Sequence, residues 1–201
     1  IMSAYPVVSN PYGFRPVNRI DGLPYAGAFR QLPIASTYNT AIYYGDPVAI
    51  VTGGTIAKSS TSGSAITSAT IVGVFVGCQY VNAQGQTVQA QYYPGTSVTN
   101  AIAYVVDDPM AAFKVAVTDS SSVMSSAARA AIGSNMSVVQ GTGSATSGDS
   151  AQSVLAGSEA TTDTLPIRVI DVVPATATGT DTFVELIVKI NLHQYNNTTG
   201  V

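Results

Sequence analysis

The feature that most limits the fold of this chain is its series of short apolar runs, each cut off by glycine, proline or a polar turn. From Thr182 to Leu192 the residues alternate: Val184, Leu186, Val188, Ile190 and Leu192 share one face, with Glu185, Lys189 and Asn191 opposite. A period of two is the signature of a strand with one dry and one wetter face. Leu165 to Val173 is apolar on both faces apart from Arg168 and Asp171. Pro47 to Val51 precedes the turn signal Gly53-Gly54, and Ala83-Gln84-Gly85-Gln86 reads as a hairpin turn. Ala101 to Val106, then Asp107-Asp108-Pro109, then Phe113 to Val117 reads as strand, turn, strand. Ile71 to Gly77 is a continuous apolar run whose glycines predict a bulge or a close backbone approach in a tightly curved sheet. Strands this short and this regularly spaced predict a mainly β protein, a small barrel or sandwich.

One helix and one loop interrupt the pattern. Ser121 to Ile132 places Val123, Ala127, Ala128, Ala131 and Ile132 near one face, with Asp119 or Ser120 as N-cap and Gly133 as C-cap. Gly141 to Gly148 is a loop by composition. Together these predict a helix–loop insertion at about 119–164 within a β-domain spanning 36–193, followed by a flexible tail at 194–201.

Residues 1–35 differ from the rest. Proline recurs at 6, 11, 16, 24 and 33, and Tyr5, Tyr12, Phe14, Tyr25 and Phe29 are interleaved with Arg15, Arg19 and Arg30. Proline removes a backbone donor and blocks helix, which predicts an extended N-terminal arm. Two readings follow. Aromatic and arginine side chains are enriched at interface hot spots, so the arm could lie across a neighbour; or it packs on its own domain. On the first reading Tyr12, Phe14, Arg15, Arg19, Phe29 and Arg30 are the contact residues.

Reactive chemistry is scarce. The 201 residues include one histidine, His193, and one cysteine, Cys78, and only 9% are charged, against about 25% in an ordinary domain. Catalysis concentrates titratable groups in a cleft, and here they are few and scattered, so the expectation is no enzyme and no cofactor. His193 has no second His or Cys nearby for a metal site. Cys78 sits in an apolar run, as an inert buried thiol would. Asp107-Asp108 precedes a proline, where carboxylates cap turns. The Gly141–Gly148 loop lacks the Gly-Lys-Ser/Thr ending of a phosphate loop. A net charge of −3 without a basic stripe speaks against nucleic acid as a partner. No apolar run reaches the roughly 18–20 residues of a membrane helix, and Ile1 to Pro6 lacks the charged and apolar regions of a signal peptide.

Three stretches carry a resemblance: Asn10-Pro11-Tyr12-Gly13-Phe14-Arg15-Pro16-Val17; Tyr44-Gly45-Asp46-Pro47-Val48 leading to Ile71-Val72-Gly73-Val74-Phe75; and Tyr104-Val105-Val106-Asp107-Asp108-Pro109. Over about residues 10–118 the chain resembles virion structural proteins of tailed bacteriophages, in particular capsid cement (decoration) proteins of cyanobacterial and other aquatic phages. The resemblance implies a β-rich subunit on the outer capsid surface, most often a homotrimer, with the major capsid protein as partner and an arm reaching over it. The length is greater than that of many small decoration proteins, which makes the 119–164 segment an elaboration. The alternatives are another virion component (minor head, tail or fibre protein) and a carbohydrate-binding β-module with tyrosines as its platform.

Overall fold

The computed structural model describes residues 10–118, 128–179, 183–196 and 200. The protein is mainly β, built from two curled sheets in a half-barrel or sandwich arrangement. The strands are β1 (Arg15–Arg19), β2 (Arg30–Pro33), β3 (Pro47–Val51), β4 (Thr55–Lys58), β5 (Ala65–Ile66), β6 (Gly73–Asn82), β7 (Thr87–Ala90), β8 (Val98–Val106), β9 (Ala111–Thr118), β10 (Asn135–Met136), β11 (Val138–Val139), β12 (Ser153–Leu155), β13 (Ile167–Val172) and β14 (Glu185–Ile190).

The smaller sheet runs β2-β8-β6-β3-β4, with β7 on the same edge of β6 as β3. It curls until its two ends touch, through a parallel bridge between Ile34 and Ile56. The larger sheet runs β10-β13-β14-β9-β12-β11-β5, with β1 added on β9. The Asp107–Pro109 turn carries the chain from β8 in one sheet to β9 in the other.

Each sheet encloses its own apolar core, and β6 is a wall between them. Ile71 and Val74 point into the core of the larger sheet, while Val72, Phe75 and Cys78 point into that of the smaller one. Both faces of this segment are therefore dry, which explains its unbroken run of apolar residues. Val105 and Val106 of β8 divide the same way. The packing at this wall admits no side chain at Gly73, where a Cβ would stand 2.2 Å from the Val106 carbonyl oxygen. The predicted bulge is present between Phe75 and Gly77.

The hairpin turn at 83–86 and the closing strands β13 and β14 lie where the sequence places them. Three expectations change. Of the predicted helix, residues 121–127 lie outside the described residues, and Ala128–Ala131 forms one 3-10 turn ahead of Gly133 at φ +89°. The insertion expected at 119–164 as helix and loop also contributes strands β10, β11 and β12, and β12 pairs parallel with β9 through Val154 and Val117. Strands of two or three residues are too short to display a period. The tail, finally, is docked at its start: Gln194 accepts from the Ile50 N–H (2.7 Å) and donates to the Ile50 carbonyl (2.9 Å).

The arm also departs from a free segment. β1 pairs antiparallel with β9 and β2 with β8, so one stitches onto each sheet. Phe14 is 2% exposed and meets Phe113 edge-on at 6.5 Å. Proline is tolerated because β1 and β2 lie at sheet edges. Removing the arm therefore removes part of the core. Phe14→Ala is expected to lower stability by about 3–5 kcal/mol, read from the denaturant midpoint, whereas a detachable arm predicts no change.

Candidate interaction surface

The start of the arm is held at a junction where four stretches distant in sequence meet. The Phe14 N–H donates to the Gly45 carbonyl (2.9 Å), Gly45 N–H to the Phe75 carbonyl (2.8 Å), and Phe75 N–H to the Asp46 carbonyl (2.9 Å). Gly13 N–H donates to the Gln152 carbonyl (3.1 Å). Gly13 adopts φ +78°, and a Cβ there would stand 2.6 Å from Ser150 Cβ. Only glycine fits both the left-handed backbone and the space.

The carboxylate of Asp46, with no exposed surface, lies at the centre. It accepts from Tyr43 N–H (2.9 Å), Ser150 Oγ (2.6 Å) and Lys58 Nζ (3.0 Å). With its amide oriented to suit its neighbours, Gln152 accepts from Lys58 Nζ (3.2 Å) and donates to the Val139 carbonyl (2.9 Å). A buried charge needs this degree of satisfaction to be tolerated. The group ties Lys58 of the smaller sheet to the approach to β12 in the larger.

A second cluster lies under Tyr12. Its ring is 5.7 Å from both the Arg15 guanidinium carbon and Lys114 Nζ. Its hydroxyl donates to Glu185, which also pairs with Lys114 at 3.1 Å. Burial and the neighbouring carboxylate push the Tyr12 phenol well above its ordinary value. The alternation of the last strand predicts a wet Glu185; the residue is instead buried, with Tyr12 and Lys114 bonded to its carboxylate. Arg15 lies over the Tyr44 ring at 4.1 Å and pairs with Asp149 at 2.6 Å.

Between β1 and β2 runs a strap, residues 20–29, in which every residue but Tyr25 is exposed. Its ends are pinned by the adjacent pair Asp107-Asp108: Arg19 bonds to Asp108 and Asp21, and Arg30 to Asp107 at 2.9 Å. Asp108 also caps the turn, accepting from Met110 N–H at 2.8 Å. Tyr195 donates to Asp107 (2.9 Å) and lies beneath Arg30 (5.2 Å). Ile20 N–H donates to the Met110 carbonyl at 2.9 Å. Six of the eight large apolar side chains exposed among the described residues lie on the strap, on β1 or on the segments that pin it: Val17, Ile20, Leu23, Phe29, Met110 and Tyr195. Phe29, 51% exposed, rests one face against Tyr104 at 5.0 Å. A clustered apolar patch of this kind marks an interaction surface.

The candidate contact residues therefore separate. Phe14 is core. Tyr12 and Arg15 are half-buried and engaged within the chain, Arg19 and Arg30 pin the strap, and Phe29 lies open on it. Leu23 and Ile20 belong to the same patch; exposure of isolated aliphatics leaves no periodic trace in a sequence. His193 is buried, its Nδ1 accepting from the Tyr195 N–H (3.2 Å), and burial pushes its pKa down. Cys78 is fully buried, and its thiol is pushed up to about 12 by desolvation. Among the described residues no three His, Cys, Asp or Glu side chains gather as a metal site would require, and no helix is long and apolar enough to cross a membrane. Compared with known proteins, the chain matches no family model, no curated protein and no solved structure.

Asp46→Ala would leave the largely enclosed Lys58 ammonium, its side chain 13% exposed, without its counter-charge. The expected loss is about 3–5 kcal/mol of unfolding free energy, and Asp46→Ala combined with Lys58→Met should recover part of it. A double variant as unstable as the sum of the two singles would contradict the coupling.

Proposed function

We propose that this protein is a structural component of a phage virion that binds the outer surface of an icosahedral capsid and stabilises it, as a cement or decoration protein. The observation that carries this reading is the strap: an exposed apolar surface whose flanking charges, Arg19 and Arg30, are paired with Asp21, Asp107 and Asp108. The major capsid protein is the proposed partner, and a homotrimer the proposed assembly. The resemblance of residues 10–17, 44–48 with 71–75, and 104–109 to such proteins points the same way. A cement protein acts by mass action, stabilising the shell because it binds the assembled form and not the dissociated one. Many modest contacts repeated by symmetry add up to high avidity, which suits a patch of a few apolar side chains.

The carbohydrate-binding alternative has less to support it. Tyr38 stacks on Tyr93 (6.2 Å) and Tyr43 on Tyr92 (5.5 Å), while Tyr44 is covered by Arg15. These rings use faces that a sugar platform would need open.

The test is co-sedimentation of the protein with bare, expanded capsids. The reading predicts saturation near a symmetry-related number of copies and a raised shell melting temperature. Leu23→Ser with Phe29→Ser should weaken binding at least tenfold while leaving the protein's own melting temperature within a few degrees. Binding at only a few copies per particle, or binding unaffected by the double variant, would overturn it.

A further inference from the structure

Every sheet must manage its edges, because an unpaired strand offers a row of free N–H and C=O groups to any other strand. Most edges here are guarded. β1 carries Pro16, a register irregularity between Pro16 and Asn18, and an arginine at each end; β2 carries Arg30 and Pro33. β5 and β10 are two residues long. β7 is different. Among the described residues it pairs on one side with β6 and with no strand on the other. Its sequence, Thr87-Val88-Gln89-Ala90, contains no proline and no charge.

The register shows which groups are free. Asn82 N–H donates to the Gln86 carbonyl at 2.9 Å, at the mouth of the hairpin. The pairs that follow are Val81–Thr87, Tyr80–Val88, Gln79–Gln89 and Cys78–Ala90. In an antiparallel ladder bonded and non-bonded pairs alternate. Val88 and Ala90 therefore bond to β6, and the N–H and C=O of Thr87 and Gln89 point away from it. The side chains of these two residues are exposed, while those of Val88 and Ala90 are half-buried.

We propose that β7 is a pairing edge for a second copy of this chain, joined antiparallel about a two-fold axis through Val88. In this register Thr87 faces Gln89 of the partner subunit and Gln89 faces Thr87 of the partner subunit, each pair exchanging both of its backbone hydrogen bonds. A two-fold contact brings identical surfaces together, so any charge near the axis meets its own like. The strand itself brings none: between Lys58 and Asp107 the sequence contains no Asp, Glu, Lys, Arg or His, and the Asp149 carboxylate that touches Gln91 at the end of the edge (2.9 Å) is already paired with Arg15. That uncharged stretch includes β5, β6, β7 and β8. The exposed side chains on and beside the edge, Gln84, Gln86 and Gln89, carry amides that both donate and accept. They are self-complementary in a way that an acidic or basic edge is not. The strap lies on the other side of the ribbon, beyond β8, since β7 and β2 flank the β6–β8 pair. Self-pairing therefore leaves the apolar patch open, and it does not depend on the capsid reading.

The test is analytical ultracentrifugation of the whole protein over the micromolar to millimolar range. The wild type should associate with rising concentration through this edge, into dimers where the body is monomeric and into paired trimers where the proposed homotrimer forms. Gln89→Pro removes only an outward N–H, so the hairpin should persist, with unchanged circular dichroism, while association is lost. Thr87→Lys with Gln89→Lys sets lysine opposite lysine in both pairs and should also abolish association. Thr87→Lys with Gln89→Glu sets opposite charges there and should restore it. A wild type that stays monomeric or stops at the trimer overturns the proposal, as does an oligomer indifferent to these substitutions. Failure of the Lys/Glu variant to associate overturns the pairing register. Shell binding is measured separately, so loss of the cement reading leaves this result intact.

Discussion

The arrangement depends on one buried carboxylate. Asp46 is removed from water and must be compensated, and its partners come from three places in the chain: Tyr43 beside it, Lys58 at the end of β4, and Ser150 ahead of β12. Satisfying that charge brings the two sheets together at a fixed distance. The same turn presents the Gly45 carbonyl to Phe14, so the arm is seated by the backbone that the carboxylate holds in place. A hydrophobic contact alone would permit sliding; a buried charge with directional partners specifies one geometry.

From this junction the rest follows in layers. β6 runs between the two cores and β8 pairs along it, so the smaller sheet can curl while sharing a wall with the larger. β1 and β2 then lie on different sheets, and the segment between them must cross from one to the other. It crosses on the outside, pinned by Asp107 and Asp108 at the turn that makes the same crossing between β8 and β9. The strap is thus fixed at both ends and open in the middle. The exposed ion pairs at its ends position the strap and contribute little to stability, being screened by salt.

The β-class, the hairpin at 83–86, the bulge near Gly77 and the alternating last strand were legible because period and turn chemistry are local properties. The arm was legible as unusual, through its prolines and its arginine–aromatic mixture, and Asp107-Asp108 as a turn. The link between them was not: that Arg19 and Arg30 find those two carboxylates depends on β2 pairing with β8, a contact about seventy residues apart in sequence. Glu185 shows the same limit. Alternation assigns it the wet face, and only the fold brings Tyr12 and Lys114 over it. Strands β10, β11 and β12 were hidden because two or three residues among serines and glycines show no period.

The arm is locked at its ends and open between them. Native-state amide hydrogen exchange tests it residue by residue. The Gly13 and Phe14 amides, bonded to Gln152 and Gly45, should exchange only with global unfolding, while amides across 21–29 exchange almost as in an unfolded chain. Rapid exchange at Gly13 and Phe14 together with the strap would mean that the arm leaves the body as a unit, and would contradict the account.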